Sequence, residues 1–213
     1  MPAEPSPAPT SAADAGAGRT DRQVELRRRV LDELVDLFLR EGFAGFTLQD
    51  LARRLRCSKS TLYLVATSKE QLVAAVVRRF FQRATQAVEA RVAAGPDAGA
   101  DPAARLTTYL RAVASELQNA GPAFFADVAG HPPARDIYET NTRHAARRVQ
   151  QLVLEGVRAG RMRDLDAAFV GAAVEQVMTA IHRGDIAAST GLGDADAYRE
   201  LARLVSAALA PGR

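Results

Sequence analysis

The stretch F-T-L-Q-D-L-A-R-R-L-R-C-S-K-S-T-L-Y-L-V-A-T-S-K, from Phe46 to Lys69, decides the fold because it contains three helix starts in twenty-four residues. Thr47 precedes the apolar stripe of one buried helical face, made by Leu48, Leu51, Ala52 and Leu55. Asp50 follows Thr47 by three residues, a spacing at which its carboxylate accepts a hydrogen bond from the cap amide. The pattern therefore predicts a helix that begins after Thr47.

Two further helix starts follow at once. Ser58 is placed to cap a short helix from Lys59 to about Val65, and the few residues before it leave room only for a sharp corner. Ser68 and Gln71 form an S-x-x-Q capping box that opens a third helix. Two short helices at a tight corner are typical of a helix-turn-helix, although an ordinary corner in an all-helical protein has the same local pattern.

The longer pattern around this corner resembles the N-terminal domain of TetR-type transcriptional repressors. The resemblance covers about fifty residues and is carried by the segments 30–38, 42–43, 46–55, 58–63 and 68–72. It implies an all-α protein, in which a three-helix DNA-binding domain precedes a helical domain for effector binding and dimerisation. Arg56 departs from the family pattern because it fills a turn position that is usually glycine. Leu64 and Val65 depart as well, because their side chains cannot donate the hydrogen bonds to phosphate that are common at those positions.

The second helix of the corner begins with Lys59, Ser60 and Thr61, at the end that meets base edges in helix-turn-helix complexes. Lys59 can donate to guanine O6 and N7, and the Thr61 methyl group can meet a thymine methyl. The resemblance implies phosphate contacts by Thr47, Tyr63 and Lys69. It also implies a base contact by Gln49. The expected DNA-binding residues are Thr47, Gln49, Lys59, Ser60, Thr61, Tyr63 and Lys69.

The positive charge of the chain lies in the segment that carries this corner. Residues 19–83 contain fourteen Lys and Arg against eight Asp and Glu, a net charge of +6. Residues 1–18 have a net charge of −2 and residues 84–213 a net charge of −1. A basic segment is what a polyanionic partner requires, and a solvated basic face is the alternative.

The composition of the chain limits the classes of protein to which it can belong. The chain has 213 residues, of which 47% are hydrophobic and 25% charged, without an apolar run long enough for a membrane span or a signal core. The single cysteine, Cys57, fits a reducing cytosol, and we expect a cytoplasmic bacterial protein that associates with the nucleoid when it is bound to DNA. The three histidines lack metal-ligand spacing, and the chain has no phosphate-binding glycine motif or nucleophile elbow. We therefore expect no enzyme activity, catalytic residue, cofactor or metal.

Helical periodicity continues to the C-terminus, interrupted by glycine and proline. We predict a disordered tail over residues 1–20, a DNA-binding domain over 21–67 and an effector and dimerisation domain over 68–213. Helix 1 is predicted over about 21–41 and a long helix 4 over 69 to about 94, followed by a linker to Asp101. The later helices are predicted near 101–117, 122–130, 134–159, 166–182 and 195–210, with a loop over 184–193.

The resemblance implies an effector cavity among the helices between Asp101 and His182. Tyr138, Asn141 and His144 share one face of a predicted helix, which is either a cavity wall or a polar surface edge. The apolar side chains of this region are equally consistent with plain core. The expected ligand-binding residues are Tyr109, Val113, Leu117, Phe124, Phe125, Tyr138, Asn141, His144, Val174, Met178 and His182.

The last two predicted helices, near 166–182 and 195–210, are the eighth and ninth in chain order and are called helices 8 and 9. Both are apolar over wide faces. They favour a homodimer through a four-helix seam, unless both helices are buried within one subunit. The sequence as a whole predicts a repressor that leaves a palindromic operator when a small apolar or aromatic molecule binds. A small-molecule enzyme on a helical bundle and an architectural DNA-binding protein without an effector are the alternatives.

Overall fold

A computed structural model describes residues 12–94 and 101–210, with side chains described from residue 21 onward. These residues form helices throughout and no strand, which confirms the all-α prediction. The helices are α1 (Ala12–Glu41), α2 (Leu48–Arg54), α3 (Lys59–Tyr63), α4 (Lys69–Ala94), α5 (Pro102–Leu117), α6 (Pro122–Gly130), α7 (Pro132–Arg158), α8 (Ala167–His182), α9 (Asp185–Thr190) and α10 (Asp194–Leu209).

Helices α1 to α3 form an N-terminal unit around one small apolar core. Leu34 and Phe38 on α1 are fully buried, as are Leu51 on α2 and Leu62 on α3. Both short helices thus bury one apolar side and leave the polar sides free to face a partner. We call residues 21–66 the DNA-binding unit, although the predicted boundary at residue 67 stays a prediction.

Helix α4 joins this unit to the rest of the chain. Its buried line begins with Leu72 and Val73 and runs through Phe80 and Phe81 to Val92. Arg79 of α4 forms a two-pronged salt bridge with Asp32 of α1, at 2.8 and 3.1 Å. The pairing lowers the pKa of Asp32, chiefly through the hydrogen bond from Arg79. One continuous helix therefore packs on α1 at one end and on the larger domain along its remaining length.

The larger domain is built from α4, α5, α7, α8 and α10, with the long α7 lying against α4, α5 and α8. Helices α5, α7 and α8 begin with a side-chain cap, whereas α10 follows Gly193 without one. Asp101 caps α5, Asp166 caps α8, and the His131 ring accepts a hydrogen bond from the amide of Ala134 at the start of α7. Helix α6 packs between α1 and α7, so it touches both parts of the molecule.

Three details of the predicted elements are wrong. Helix α1 begins at Ala12, whereas its predicted start lies near residue 21, and the disordered tail over residues 1–20 stays a prediction. The predicted loop over 184–193 contains the helix α9, which is bracketed by two left-handed glycines, Gly184 and Gly191. Ser68 caps α4 as predicted, since its hydroxyl accepts a hydrogen bond from the Gln71 amide at 3.2 Å. The Gln71 side chain, however, accepts from Thr67 rather than from the Ser68 amide, so the box is incomplete.

Two predicted segments lie wholly or partly outside the described residues. They are the first eleven residues of the predicted tail and the linker over residues 95–100. The predicted helix boundaries elsewhere agree with the structure to within two residues, because the caps and glycines that mark them are local features.

Candidate DNA-binding surface and ligand cavity

The first helix of the corner begins with a complete capping box. The Thr47 hydroxyl accepts a hydrogen bond from the Asp50 amide at 3.2 Å, and the Asp50 carboxylate accepts from the Thr47 amide and hydroxyl at 3.0 and 2.6 Å. These hydrogen bonds from Thr47 lower the pKa of Asp50. The start of α2 is therefore fixed while its polar side stays exposed.

The turn between α2 and α3 depends on one residue with an unusual backbone. Arg56 has a φ of +51°, the left-handed conformation that glycine adopts most readily. Cys57 follows, and its amide donates to the carbonyl of Ala52 at 2.9 Å. The Cys57 side chain is half-buried against the core, and burial raises the pKa of its thiol. These observations agree with a packing role for Cys57.

Six of the seven predicted DNA-binding residues lie at or near the exposed ends of α2 and α3. Ser58 accepts a hydrogen bond from the Thr61 amide at 3.1 Å and so caps α3. Lys59 reaches the Gln49 side chain, with 3.4 Å between Nζ and Oε1. Residues predicted to read bases on the two helices are thus neighbours. The exposed members of the set are Thr47, Gln49, Lys59, Ser60 and Tyr63, and Thr61 is partly exposed.

The seventh residue, Lys69, lies at the start of α4 and is partly buried. Its ammonium donates to the carbonyl oxygen of Ala44 at 2.9 Å. The loop that precedes α2 is therefore attached to α4 through this side chain. Val65 is buried and Leu64 partly exposed, so neither offers a polar group toward a phosphate.

Arg27 reaches the corner from α1, where the sequence places it among four arginines that either reach the DNA backbone or form a solvated face. Its guanidinium lies 3.4 Å from the carbonyl oxygen of Val65, just beyond the end of α3. Arg53 and Arg54 on α2 are also exposed and are paired with Asp50 and Glu41. In the sequence, Arg53 and Arg54 entered only through the net charge counted over residues 19–83.

A cavity of about 330 Å³ lies in the larger domain between α4, α5 and α7, with Met178 of α8 and Tyr198 of α10 completing its wall. Seven of the eleven predicted ligand-binding residues line it: Tyr109, Val113, Leu117, Tyr138, Asn141, His144 and Met178. A wider outer chamber of about 600 Å³ lies between α4 and α7. The two chambers share Phe81, Thr85, Asn141 and His144 and are therefore adjacent.

The other four predicted residues lie outside this lining. Phe124 packs between Phe43 and Phe80, and Phe125 packs on Tyr138 and on Phe124 itself. Val174 is buried in the core, and His182 lies behind Tyr138. All four side chains therefore pack away from the cavity. Helical periodicity alone does not distinguish an apolar core residue from an apolar residue of the cavity wall.

Residues on α4 and α10 complete the cavity and were not predicted to line it. Phe81, Ala84, Thr85 and Val88 belong to α4, and Tyr198 belongs to α10. The sequence placed Phe81, Val88 and Tyr198 on apolar helix faces, but which faces enclose a space depends on how the helices pack. The cavity thus extends beyond the helices that the resemblance implied.

Both carboxylates of the cavity wall, those of Glu89 and Glu116, are paired with arginines. Arg148 grips the carboxylate of Glu89 with two hydrogen bonds of 3.0 and 3.1 Å. Glu116 pairs with Arg91 at 2.8 Å. Burial, with the charge of Glu89, raises the pKa of Tyr109, which stays a neutral hydroxyl. The wall therefore presents aromatic and aliphatic surface with hydrogen-bonding groups and balanced charge.

A buried polar cluster forms the floor of the cavity. The hydroxyls of Tyr138 and Tyr198 are 2.5 Å apart, and burial raises the pKa of both groups. The His182 ring stacks on Tyr138 with 3.8 Å between centroids, and neither of its nitrogens has a hydrogen-bond partner. Burial accordingly lowers the pKa of His182, so the ring is neutral at neutral pH.

Other types of site find no support in the described residues. They contain no group of three or more His, Cys, Asp or Glu side chains close enough to hold a metal ion. No helix among them combines the length and the hydropathy that a bilayer crossing requires.

Comparisons with known proteins agree with the geometry of the corner. Residues 30–76 match the model of the family described as bacterial regulatory proteins, tetR family. An uncharacterized HTH-type transcriptional regulator, YvaF of Bacillus subtilis (strain 168), is 46% identical over 59 residues. That match takes in 28% of this chain and spans about 30% of the length of the relative.

Solved structures extend the likeness in fold to almost the whole chain. A putative transcriptional regulator from Saccharomonospora viridis, solved in complex with choline, is 18% identical with a TM-score of 0.67, over 89% of this chain and 100% of that one. A TetR transcriptional regulator from Chloroflexus aurantiacus is also 18% identical, with a TM-score of 0.65 over 90% and 100% of the two chains.

The corner, its capping and the helical domain behind it define a helix-turn-helix protein of the DNA-binding class. Residues 30–76 carry the match to the tetR family of bacterial regulatory proteins, and almost the whole chain shares the fold of the solved transcriptional regulators. The relative and the solved structures named above are described as transcriptional regulators.

Proposed function

We propose that this protein is a homodimeric repressor that binds a palindromic operator and leaves it when a small apolar or aromatic molecule occupies the inner cavity. The observation that carries the proposal is the double use of α4. Residues from Phe81 to Glu89 form one wall of the cavity, and the first half of the same helix packs on the DNA-binding unit. A ligand that displaces α4 therefore changes the position of that unit.

Two-fold symmetry supplies the link to a palindrome. A dimer presents two copies of α3, and paired recognition helices fit two half-sites about one helical turn apart in successive major grooves. A ligand that binds better to a dimer with another spacing lowers DNA affinity by its differential affinity for the two states.

We place the dimer seam on α8 and α10, the structural counterparts of the predicted helices 8 and 9. Phe169 on α8 and Leu204 on α10 expose 73% and 66% of their surfaces, and Val177 is half-exposed between them. Large apolar side chains exposed on neighbouring helices favour burial against a second copy. If α8 and α10 packed only within one subunit, the exposure of Phe169 and Leu204 would have no explanation.

The chemistry of the cavity favours an uncharged ligand. The Saccharomonospora viridis regulator was solved with choline, a small organic cation, and aromatic rings such as those of Tyr109 and Tyr138 can hold cations. In this chain, however, Glu89 and Glu116 each pair with an arginine, so neither carboxylate is available without breaking a salt bridge. We therefore propose an apolar or aromatic effector that Asn141 and His144 orient by hydrogen bonds.

We propose residues 21–67 as the DNA-binding domain and residues 68–213 as the effector and dimerisation domain. We also propose a cytoplasmic location, with nucleoid association when DNA is bound.

The proposed function is tested by selecting genomic fragments on the purified protein and then screening ligands for release of the bound duplex. Recovery of one palindromic sequence with ligand-dependent release supports it. Equal binding to random fragments favours an architectural DNA-binding protein instead.

A further inference from the structure

One carboxylate of α6 reaches the loop that follows α1. Asp127 Oδ2 accepts hydrogen bonds from two successive backbone amides, that of Phe43 and that of Ala44, the second at 2.8 Å. Helix α6 belongs to the larger domain, and the loop leads directly into α2. The two parts of the molecule are thus joined by a pair of directional, charge-assisted hydrogen bonds.

The backbone around the carboxylate is shaped to admit it. Gly42 has a φ of +73°, and a Cβ atom at this position would lie 2.5 Å from Asp127 Oδ2. Glycine is therefore required here both for its backbone conformation and for the space it leaves. Gly42 also ends α1, so the helix terminates directly before the two amides that bind the carboxylate.

Neighbouring contacts hold the same loop from other sides. Lys69 of α4 donates to the Ala44 carbonyl at 2.9 Å, and the Gly121 amide donates to the Leu39 carbonyl at 2.8 Å. The Phe43 ring packs edge-on against Phe124, with 6.3 Å between the ring centroids. Ring packing tolerates small rotations, whereas two amides on one oxygen define a direction. The carboxylate is therefore the contact through which α6 itself orients the loop.

We propose that Asp127 is a positioning residue, which fixes the orientation of the DNA-binding unit against the larger domain and so sets the spacing of the two units in the dimer. The inference rests on the proposed function, because spacing matters only when one dimer grips two half-sites. Once the first half-site is bound, a fixed spacing raises the effective concentration of the second unit at its half-site. Loss of Asp127 leaves each unit able to bind alone but weakens simultaneous binding.

The test compares a full operator with a half operator. The probes are the duplex that the wild-type protein recovers from genomic fragments and the same duplex with one half scrambled. The variants are Asp127→Ala, which removes both hydrogen bonds, and Asp127→Asn, which keeps one oxygen as an acceptor. Asp164→Ala is the matched control, because it removes an exposed carboxylate in the loop before α8.

We expect Asp127→Ala to weaken binding to the full duplex about tenfold, the effect of losing a charged hydrogen bond, and to change half-duplex binding less than about twofold. Asp127→Asn should recover most of the full-duplex affinity, and Asp164→Ala should match the wild type. Amide exchange at Phe43 and Ala44 should also be faster in Asp127→Ala.

Two results overturn the inference while the proposed function stands. One is an unchanged affinity of Asp127→Ala for the full duplex, and the other is an equal loss on both duplexes, which indicates a damaged DNA-binding unit. A wild-type protein that recovers no duplex overturns the proposed function and this inference together.

Discussion

The Lys69 ammonium donates a hydrogen bond of 2.9 Å to the carbonyl oxygen of Ala44, so a residue assigned to the DNA backbone also holds the loop before α2. A lysine ammonium has three donors, and one of them is used here. The remaining two are available to a phosphate that approaches the start of α4. This double role leads to the first prediction.

Lys69→Ala should weaken binding to all DNA sequences alike, because a phosphate contact carries no sequence information. The slope of log affinity against log salt should flatten by about one unit. The measurement is affinity at several salt concentrations for the selected duplex and a scrambled one. An unchanged slope would show that Lys69 serves only the loop.

Lys59→Ala should act on sequence preference instead. Lys59 is exposed at the start of α3 beside Gln49, where base edges are read. We expect a loss of about 1 to 3 kcal/mol of discrimination at particular base pairs, with little change on scrambled DNA. Binding to duplexes substituted one base pair at a time checks this, and an equal loss on every duplex would contradict the assignment.

Arg56→Gly should raise the free energy of unfolding by about 0.5 to 1 kcal/mol. Arg56 has a φ of +51°, a conformation that costs a residue with a Cβ more than it costs glycine, partly offset by the greater chain entropy of glycine. Arg56→Val is the control and should lower stability, because a β-branched residue tolerates this region poorly. Chemical denaturation measures both, and a less stable Arg56→Gly protein would contradict the account of the corner.

Replacement of Val177 or Leu204 by a charged residue should give monomers. Leu204 exposes 66% of its surface in a single chain, so the substitution acts on the proposed seam more than on the fold. Sedimentation at micromolar concentration measures the assembly state, and circular dichroism checks that the helices are retained. A wild-type protein that sediments as a monomer would exclude the proposed dimer.

Stability should fall as the pH drops through about 6.5, the ordinary pKa of histidine, because burial lowers the pKa of His182 in the folded state. The unfolded chain then binds a proton that the folded chain does not, so protonation favours unfolding, and the loss levels off below the folded-state pKa. His182→Phe keeps a ring on Tyr138 and should remove this pH dependence between pH 7 and 5. His144→Gln, at an exposed position, is the control and should retain it.

The sequence predicted the corner in detail because its determinants are local. Thr47, Asp50 and Ser58 cap helices by contacts within three residues, and Gly42 ends α1 where a glycine is expected. The family resemblance, in which glycine usually fills this turn position, pointed to Arg56, and its backbone is left-handed. Local hydrogen bonding leaves a direct trace in residue spacing.

The cavity was predicted only in part because it depends on contacts between distant segments. Tyr138 and Tyr198 are sixty residues apart and meet only when α7 and α10 pack. Phe124 and Val174 have the same apolar periodicity as the true lining residues, and packing alone assigns them to the core. Asp127 could not be found from spacing, since its partners are amides of a loop more than eighty residues earlier.

The central claim is that the dimer binds DNA sequence-specifically. The most direct test measures the affinity of the purified protein for two duplexes of equal length at physiological salt, the selected one and a scrambled one. We expect the selected duplex to bind at least about 10³-fold more tightly, the lower end of the ratio for specific regulators. We expect one dimer per duplex. Equal affinities for the two duplexes would contradict the account.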